Sequence, residues 1–130
     1  MLDHERLEVY QLAREFSREI CRLSQLIKRG RSDLKLQLLR ATASVPLNIA
    51  EGAGEYSVGR KAHFYRIARS SATECGSNLD HIIDMGLLPP HEVVKAKALL
   101  DRIVPMLVAL VLSVERRAEE PIADDRPLKT

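Results

Sequence analysis

The chain is 130 residues long, of which 45% are hydrophobic and 29% are charged. This composition is typical of one globular domain and excludes a fibrous or intrinsically disordered chain. No apolar stretch reaches the roughly 20 residues of a transmembrane helix, and the N-terminus lacks a secretory signal core. Two cysteines, Cys21 and Cys75, are too few for a disulfide framework. We therefore expect a cytoplasmic protein without a membrane partner.

Basic residues are concentrated in the middle of the chain. Residues 31–70 contain seven lysines and arginines against three acidic residues, an excess of +4, whereas the whole chain has a net charge of +2. This excess is compatible with an acidic partner such as a nucleic acid, but it does not require one.

The first two helical patterns lie between residue 7 and the turn at Gly52. The first covers about residues 7–28. The second begins at Ser32 or Asp33, both good N-caps, and contains Pro46, which predicts a kink rather than an end. In both, apolar residues recur at alternating steps of about four and three. The predicted stripes are Val9, Ala13, Phe16, Ile20, Leu23 and Ile27 in the first helix, and Leu34, Leu38, Ala41, Val45 and Ile49 in the second.

Two further helical patterns complete the chain. The third starts between Ser57 and Arg60 and is stopped by Gly86. The fourth begins with proline in its first turn, at residues 89–90, and contains Pro105. Four helices with short connections predict an all-α fold, an antiparallel up-down-up-down four-helix bundle over residues 1–118. Residues 119–130 are predicted to be a disordered tail. The inner faces are predicted to contain Phe64, Ala68, Ser71, Cys75, Asn78 or Leu79, and Ile82 in the third helix, and Val93, Ala96, Leu100, Ile103, Leu107, Leu110 and Val114 in the fourth.

One segment of the fourth helix does not suit a monomer. Residues 103–112 are apolar all round the helix, whereas a surface helix normally keeps a polar outer face. The segment is too short to span a membrane. Either its outer face is buried against another subunit, or the monomer has an unusually apolar surface. We favour the first alternative and expect a homo-oligomer.

The first helix carries a row of like charges. Arg14, Arg18 and Arg22 recur every four residues on the face away from the core, a spacing at which they repel. Glu15 and Glu19 could relieve this repulsion within the helix. Acidic groups of a neighbouring subunit or of a nucleic acid could also do so, and both interpretations stay open.

Several stretches of the sequence resemble a known family. The most specific is Ser-Val-Pro-Leu-Asn-Ile-Ala-Glu-Gly at residues 44–52. Over about residues 5–117 the chain resembles the bacterial four-helix bundle family encoded in intervening sequences of 23S ribosomal RNA genes. That family is similar in fold to the accessory protein of diversity-generating retroelements, a pentameric barrel that binds nucleic acid and a reverse transcriptase. The resemblance implies a homopentamer with RNA or DNA and a protein as partners. The other matching stretches are residues 7–13, 37–41 and 64–71, with Glu74.

The resemblance and the basic middle of the chain favour a nucleic-acid-binding accessory factor. The candidate phosphate contacts are Arg40 on the second helix, and Arg60, Lys61, Arg66 and Arg69 near the start of the third. Such contacts would bind without sequence preference and with a strong salt dependence. The alternative is a protein-interaction scaffold, in which these side chains form salt bridges with other subunits or a partner. The few aromatic residues argue against recognition of single strands. The family commonly has a second arginine beside Arg40, where this chain has leucine.

Three polar residues near the second and third helices predict a structural clasp. Asn48 and Glu51 are three residues apart at the end of the second helix, where a carboxylate is poorly placed against the helix dipole. We expect the N–H groups at the start of the third helix, or an arginine of a neighbouring helix, to compensate Glu51. Glu74 flanks the inner face of the third helix beside Ser71 and could hydrogen-bond to the second.

No group of residues predicts catalysis. The four histidines are scattered, without the spacing of metal ligands in helix bundles. The sequence contains no phosphate-binding loop, dinucleotide-binding turn or nucleophile elbow. We therefore expect a protein that is not an enzyme and has no catalytic residue, metal or cofactor. Cys21 and Cys75 lie on or beside apolar stripes, and we expect both to serve in packing.

Overall fold

A computed structural model describes residues 1–28 and 31–119 of the chain. In this part of the chain four α-helices and two short 3-10 helices form, and no strand does. The predicted all-α four-helix bundle is confirmed. Residues 120–130 of the predicted tail lie outside the described residues, whereas Glu119 belongs to the last helix. The α-helices are α1 (Glu8–Leu26), α2 (Ser32–Ala53), α3 (Val58–Asp84) and α4 (Val94–Glu119), and the 3-10 helices are Asp3–Arg6 and Pro90–Val93.

Each α-helix packs mainly against two others. α1 and α3 each contact both α2 and α4, so α2 and α4 lie on opposite sides of the bundle. Thr42 of α2 lies beside Cys75 of α3, and Lys61 reaches the carbonyl of Gly52, so these two helices run antiparallel. α4 also runs antiparallel to α3 and to α1, because in each case the earlier residue of one helix pairs with the later residue of the other. The ion pairs are Asp80 with Lys97, Arg66 with Glu115, Glu8 with Arg102, and Arg22 with Glu92.

The core is built from the apolar stripes. Every residue predicted for the stripes of α1 and α2 is buried. In α3, Tyr65 is buried while Phe64 is only partly buried. Both positions lie one turn before Ala68, so the periodicity alone does not decide between them. In α4, Val111 is buried while Leu110 is only partly buried, by the same one-residue difference.

The ends of the helices follow local chemistry. The Ser57 hydroxyl accepts a hydrogen bond from the Arg60 N–H at the start of α3. Gly86 has a φ of 75°, which favours glycine, directly after the end of α3. Both α2 and α4 continue through their internal prolines. Ser32 is already helical, so the residue before it, and not Ser32 or Asp33, occupies the N-cap position of α2.

Candidate functional site

The end of α2 packs closely against the first turns of α3. A Cβ atom at residue 52 would lie 2.6 Å from Cε1 of Tyr65, so only glycine fits beneath this ring. Tyr65 is 3% exposed and packs with Ala62, Val111 and Val114. The close approach of α2 to the Tyr65 ring therefore explains why residue 52 is glycine.

Lys61 occupies the carbonyl end of α2. Its Nζ donates hydrogen bonds to the carbonyl oxygens of Gly52 at 2.6 Å and of Ala53 at 3.1 Å. The last carbonyls of a helix lack partners within the helix, and the helix dipole favours a cation there. Burial lowers the pKa of Lys61, and the charge of Arg117 lowers it further. Two of the three N–H donors of Lys61 are therefore engaged within the chain, and a phosphate contact of Lys61 stays a prediction that these carbonyls disfavour.

Two of the other candidate phosphate contacts are in exposed ion pairs. Arg60 Nε lies 3.1 Å from Glu55 Oε2, and the Arg60 guanidinium lies 5.5 Å from the centroid of the Phe64 ring. The hydrogen bond from Arg60 lowers the pKa of Glu55. Arg66 pairs with Glu115 of α4. Exposed pairs of this kind typically contribute about 0–1 kcal/mol, so a phosphate group can displace the carboxylate.

The remaining two candidates are exposed. Arg40 and Arg69 make no hydrogen bond or ion pair within residues 1–28 and 31–119. Arg69 lies on α3 with Arg60 and Arg66, whereas Arg40 lies on α2 near the level of Cys75. At 1.5 Å per residue, that level is roughly 22 Å along α3 from Arg60. The five predicted residues therefore do not form one compact patch.

The polar contact between α2 and α3 is made by short side chains. Ser71 Oγ donates to Ser44 Oγ at 2.7 Å, and the Asn48 amide donates to the carbonyl and hydroxyl oxygens of Ser44 at 2.8 and 2.9 Å. The Thr42 hydroxyl lies 3.6 Å from Cys75 Sγ. Burial raises the pKa of Cys75 to about 11. Asn48 thus belongs to the clasp through Ser44, within its own helix.

Glu51 and Glu74 take no part in this clasp. Both are exposed and make no side-chain hydrogen bond in the part of the chain that the structure describes. The Arg60 N–H, one of the groups expected to compensate Glu51, is bonded to the Ser57 hydroxyl at 3.3 Å. The predicted membership of Glu51 and Glu74 is therefore corrected. A close helix contact can bury hydroxyl and amide groups that bond to each other, whereas a carboxylate is costly to remove from water.

Glu19 and Arg22 form the ion pair that the sequence offered as relief for the arginine row of α1, with a buried carboxylate and a half-exposed guanidinium. Glu19 is 5% exposed, and both its carboxylate oxygens accept hydrogen bonds from Arg22, at 3.1 and 2.7 Å. The bond from Arg22 lowers the pKa of Glu19. Arg22 also reaches Glu92 at 3.5 Å, which ties the 3-10 helix before α4 to α1. The three-residue spacing signals the pair, but the burial depends on packing across the bundle. For Arg22, the repulsion along the arginine row is therefore relieved by acidic residues of the same chain.

Two apolar surfaces are exposed on opposite sides of the bundle. The outer side of α4 includes Leu112, which is 53% exposed, and the outer side of α2 includes Leu47, which is 60% exposed. The first surface confirms that residues 103–112 leave apolar side chains in solvent in the single chain. The α4 face is Val94, Ala98, Pro105, Val108 and Leu112, with the exposed Asp101 between Ala98 and Pro105 as its one charged position, and the α2 face is Leu36, Leu39 and Leu47.

The sequence also led to expectations about metal-binding clusters, membrane-spanning helices and the two cysteines. No three histidine, cysteine or acidic side chains among residues 1–28 and 31–119 are grouped as a metal site requires. None of the described helices combines the length and the apolar character needed to cross a membrane. Cys75 is buried, as expected for packing, but Cys21 is exposed and the expectation for it is wrong.

The described helices and contacts define the protein as an all-α four-helix bundle with a polar clasp between α2 and α3. The family model for the 23S rRNA-intervening sequence protein matches residues 5–109. The chain belongs to this family, which confirms the resemblance seen in the sequence. A comparison with curated proteins finds no match.

Proposed function

We propose that this protein is a non-catalytic, homo-oligomeric bundle that binds nucleic acid as an accessory factor. The observation that carries the oligomer is the α4 face, where Val94 and Leu112 are more than half exposed. Exposed apolar patches of this kind usually mark interfaces. The number of subunits, five, comes from the resemblance to the pentameric retroelement accessory protein and not from the geometry.

The arginines of α3 support the nucleic-acid part of the proposal. Arg69 is exposed without a described partner, and Arg60 and Arg66 are paired only with carboxylates at the surface. Exposed pairs of this kind contribute little, so exchanging the carboxylate for a phosphate costs little. Symmetry repeats these side chains around an oligomer, so their field adds up. Phosphate contacts carry no base information, and binding should tolerate many sequences.

Light scattering at micromolar concentration tests the oligomer. We expect a mass several times the 14.6 kDa of one chain, and a lower mass for Leu112→Glu. Leu26→Glu is the matched control, because Leu26 is an exposed leucine that belongs to α1 and not to the α4 face. A mass of 14.6 kDa for the unmodified protein would contradict the proposal.

A salt titration with fluorescent duplex and single-stranded oligonucleotides tests nucleic-acid binding. For duplex DNA the logarithm of the binding constant should fall with the logarithm of salt concentration, by about 0.9 per phosphate contacted. The double variant Arg66→Gln with Arg69→Gln should flatten this slope and keep the oligomer. The matched control removes the same charge from α1, at the exposed residues Arg14 and Arg18, and should keep the slope. Absence of binding at about 50 mM salt would reject this function.

A protein-interaction scaffold is the second candidate function. It is favoured by the engagement of Lys61 with the carbonyls of α2, and of Arg60 and Arg66 with acidic side chains. Fewer free cations then remain for phosphate. An intact oligomer that binds neither duplex nor single-stranded oligonucleotide would select this candidate.

A further inference from the structure

We propose that the α2 face of one subunit docks in the groove between α3 and α4 of a second copy, with the two bundles side by side and pointing the same way. The inference rests on the proposed homo-oligomer. It adds which two surfaces meet, in which direction, and which charged side chains pair across the contact.

The groove between α3 and α4 combines an apolar floor with a charged rim made of Asp80, Lys97 and Asp101. Its volume is about 540 Å³, and its floor includes Gly76, Leu100, Val104 and Pro105. Because Gly76 has no side chain, the groove is deeper beside Leu100. On the rim, Asp101 is exposed and has no ion pair among the described residues, while Asp80 pairs with Lys97. The groove therefore suits an apolar surface with positive charge beside it.

The α2 face has this character. Leu36 and Leu39 are both exposed, and they are next to Lys35 and Arg40 in the chain. Arg40 is exposed and has no partner within the described residues. Apolar contact at the centre with opposite charges at the rim is the usual composition of a specific interface.

The packing of the helices places the two surfaces at the same height in the bundle. Thr42 lies beside Cys75, and the next residue of α3, Gly76, lies against Leu100 of α4. Arg40 and Asp101 are therefore within about one helical turn of the same level. Two copies side by side in the same orientation bring Arg40 of one opposite Asp101 of the other. Arg40 is thereby assigned to the subunit contact, and phosphate binding is left to the arginines of α3.

The other end of the interface shows the same complementarity. Glu51 precedes Gly52, which lies under the ring of Tyr65, and Tyr65 packs in one cluster with Val114. Glu51 is therefore near the level of Arg116, which is two residues beyond Val114 and is also exposed without a described partner. The parallel arrangement brings this carboxylate and this guanidinium together.

The direction of association follows from these four charges. If the second copy pointed the opposite way, Glu51 would approach Asp101 and Arg40 would approach Arg116, two contacts between like charges. Because α2 and α4 are on opposite sides of the bundle, each subunit in such a contact still has one free α2 face and one free groove. Association between two different surfaces gives a ring where the rotation from one subunit to the next closes, and an open filament where it does not.

A charge exchange in the full-length protein tests the contact. We expect Arg40→Asp and Asp101→Arg each to weaken association by at least about tenfold, because each places like charges opposite each other. The double variant should return to within about threefold of the unmodified protein, because it restores the opposite charges in exchanged positions. Arg18→Asp is the control, since Arg18 lies on the outer side of α1. Sedimentation over a dilution series measures the association, and circular dichroism checks the helices.

The outcomes separate this inference from the proposed function. If the unmodified protein is an oligomer and the single variants associate as it does, the docking contact is refuted while the oligomer stands. A double variant as weak as the single ones also refutes it. An unmodified protein of 14.6 kDa at all concentrations refutes both. If a charge reversal unfolds the chain, Arg40→Gln replaces it, with an expected loss of about threefold or more and an unchanged circular dichroism spectrum.

Discussion

Substitution of Gly52 by alanine tests how the end of α2 packs on α3. In an open helix position, alanine is more favourable than glycine by about 1 kcal/mol. At residue 52, however, the new Cβ would lie 2.6 Å from Cε1 and 2.8 Å from Cδ1 of Tyr65. Contacts between carbon atoms are optimal at about 3.5–4.0 Å, so the ring or the helix must move by about 1 Å.

The surroundings of Tyr65 decide the size of the effect. The ring cannot move freely, because Ala62, Val111 and Val114 pack around it and only 3% of the residue is exposed. Overpacking of a closed site costs about 1–3 kcal/mol, and a contact as short as 2.6 Å belongs at the upper end of that range, above the gain of about 1 kcal/mol from helix propensity. We expect Gly52→Ala to lower the free energy of unfolding by about 1–2 kcal/mol, which for a chain of this length corresponds to roughly 4–7 °C in the melting temperature.

Thermal and denaturant unfolding at one fixed protein concentration measures this effect. Gly59→Ala is the matched control, because a Cβ there meets only Ser57 Oγ, at 4.0 Å, and we expect it to be neutral or stabilising. In a Tyr65→Leu background, Gly52→Ala should cost clearly less than in the unmodified protein, since the clashing ring is gone. If Gly52→Ala is as stable as Gly59→Ala, the steric explanation of Gly52 is refuted.

Three further predictions concern charge and reactivity. Arg22→Ala should lower the melting temperature at pH 7 and lower it less at pH 3. The hydrogen bond from Arg22 lowers the pKa of Glu19 below the ordinary 4.5 of glutamate, so the stabilisation is fully present above 4.5 and declines as the pH falls through the lowered pKa. An equal loss at both pH values would contradict this. Glu51→Ala should change the free energy of unfolding by no more than about 0.5 kcal/mol, because the side chain is exposed, but should weaken association; a large loss of stability would restore it to the clasp. Iodoacetamide at pH 8 should modify the exposed Cys21 much faster than Cys75, whose pKa burial raises to about 11, and peptide mass spectrometry would reveal equal rates if this is wrong.

The sequence predicts the fold well because, in a small bundle, the apolar residues that recur with the helical period are the residues that become buried. The apolar steps of α1 and α2 are all buried, and the turn residues Ser57 and Gly86 mark the ends of α3 where the structure has them. The signal is weaker where two neighbouring positions suit the same stripe. Phe64 and Tyr65 are such a pair, and the choice depends on whether a ring fits over Gly52.

The partners of long charged side chains could not be predicted in the same way. Periodicity places Lys61 near the start of α3, but its reach to the carbonyls of Gly52 and Ala53 depends on how the α2–α3 turn brings the helix ends together. At Glu51 the helix dipole disfavours a carboxylate, which is why the sequence predicts a compensating group there. Water screens that interaction at an exposed position, so no compensating group within the chain is needed.

The family stretch at residues 44–52 divides into residues that packing explains and one that it does not. Asn48 bonds to Ser44, Ile49 is fully buried in the core, and Gly52 makes room for Tyr65. Glu51 contacts nothing that would hold it in the described chain. A carboxylate at the exposed end of a helix is slightly unfavourable in isolation. In the proposed parallel contact between subunits, the guanidinium of Arg116 lies near the level of Glu51 and would supply the partner that the single chain does not.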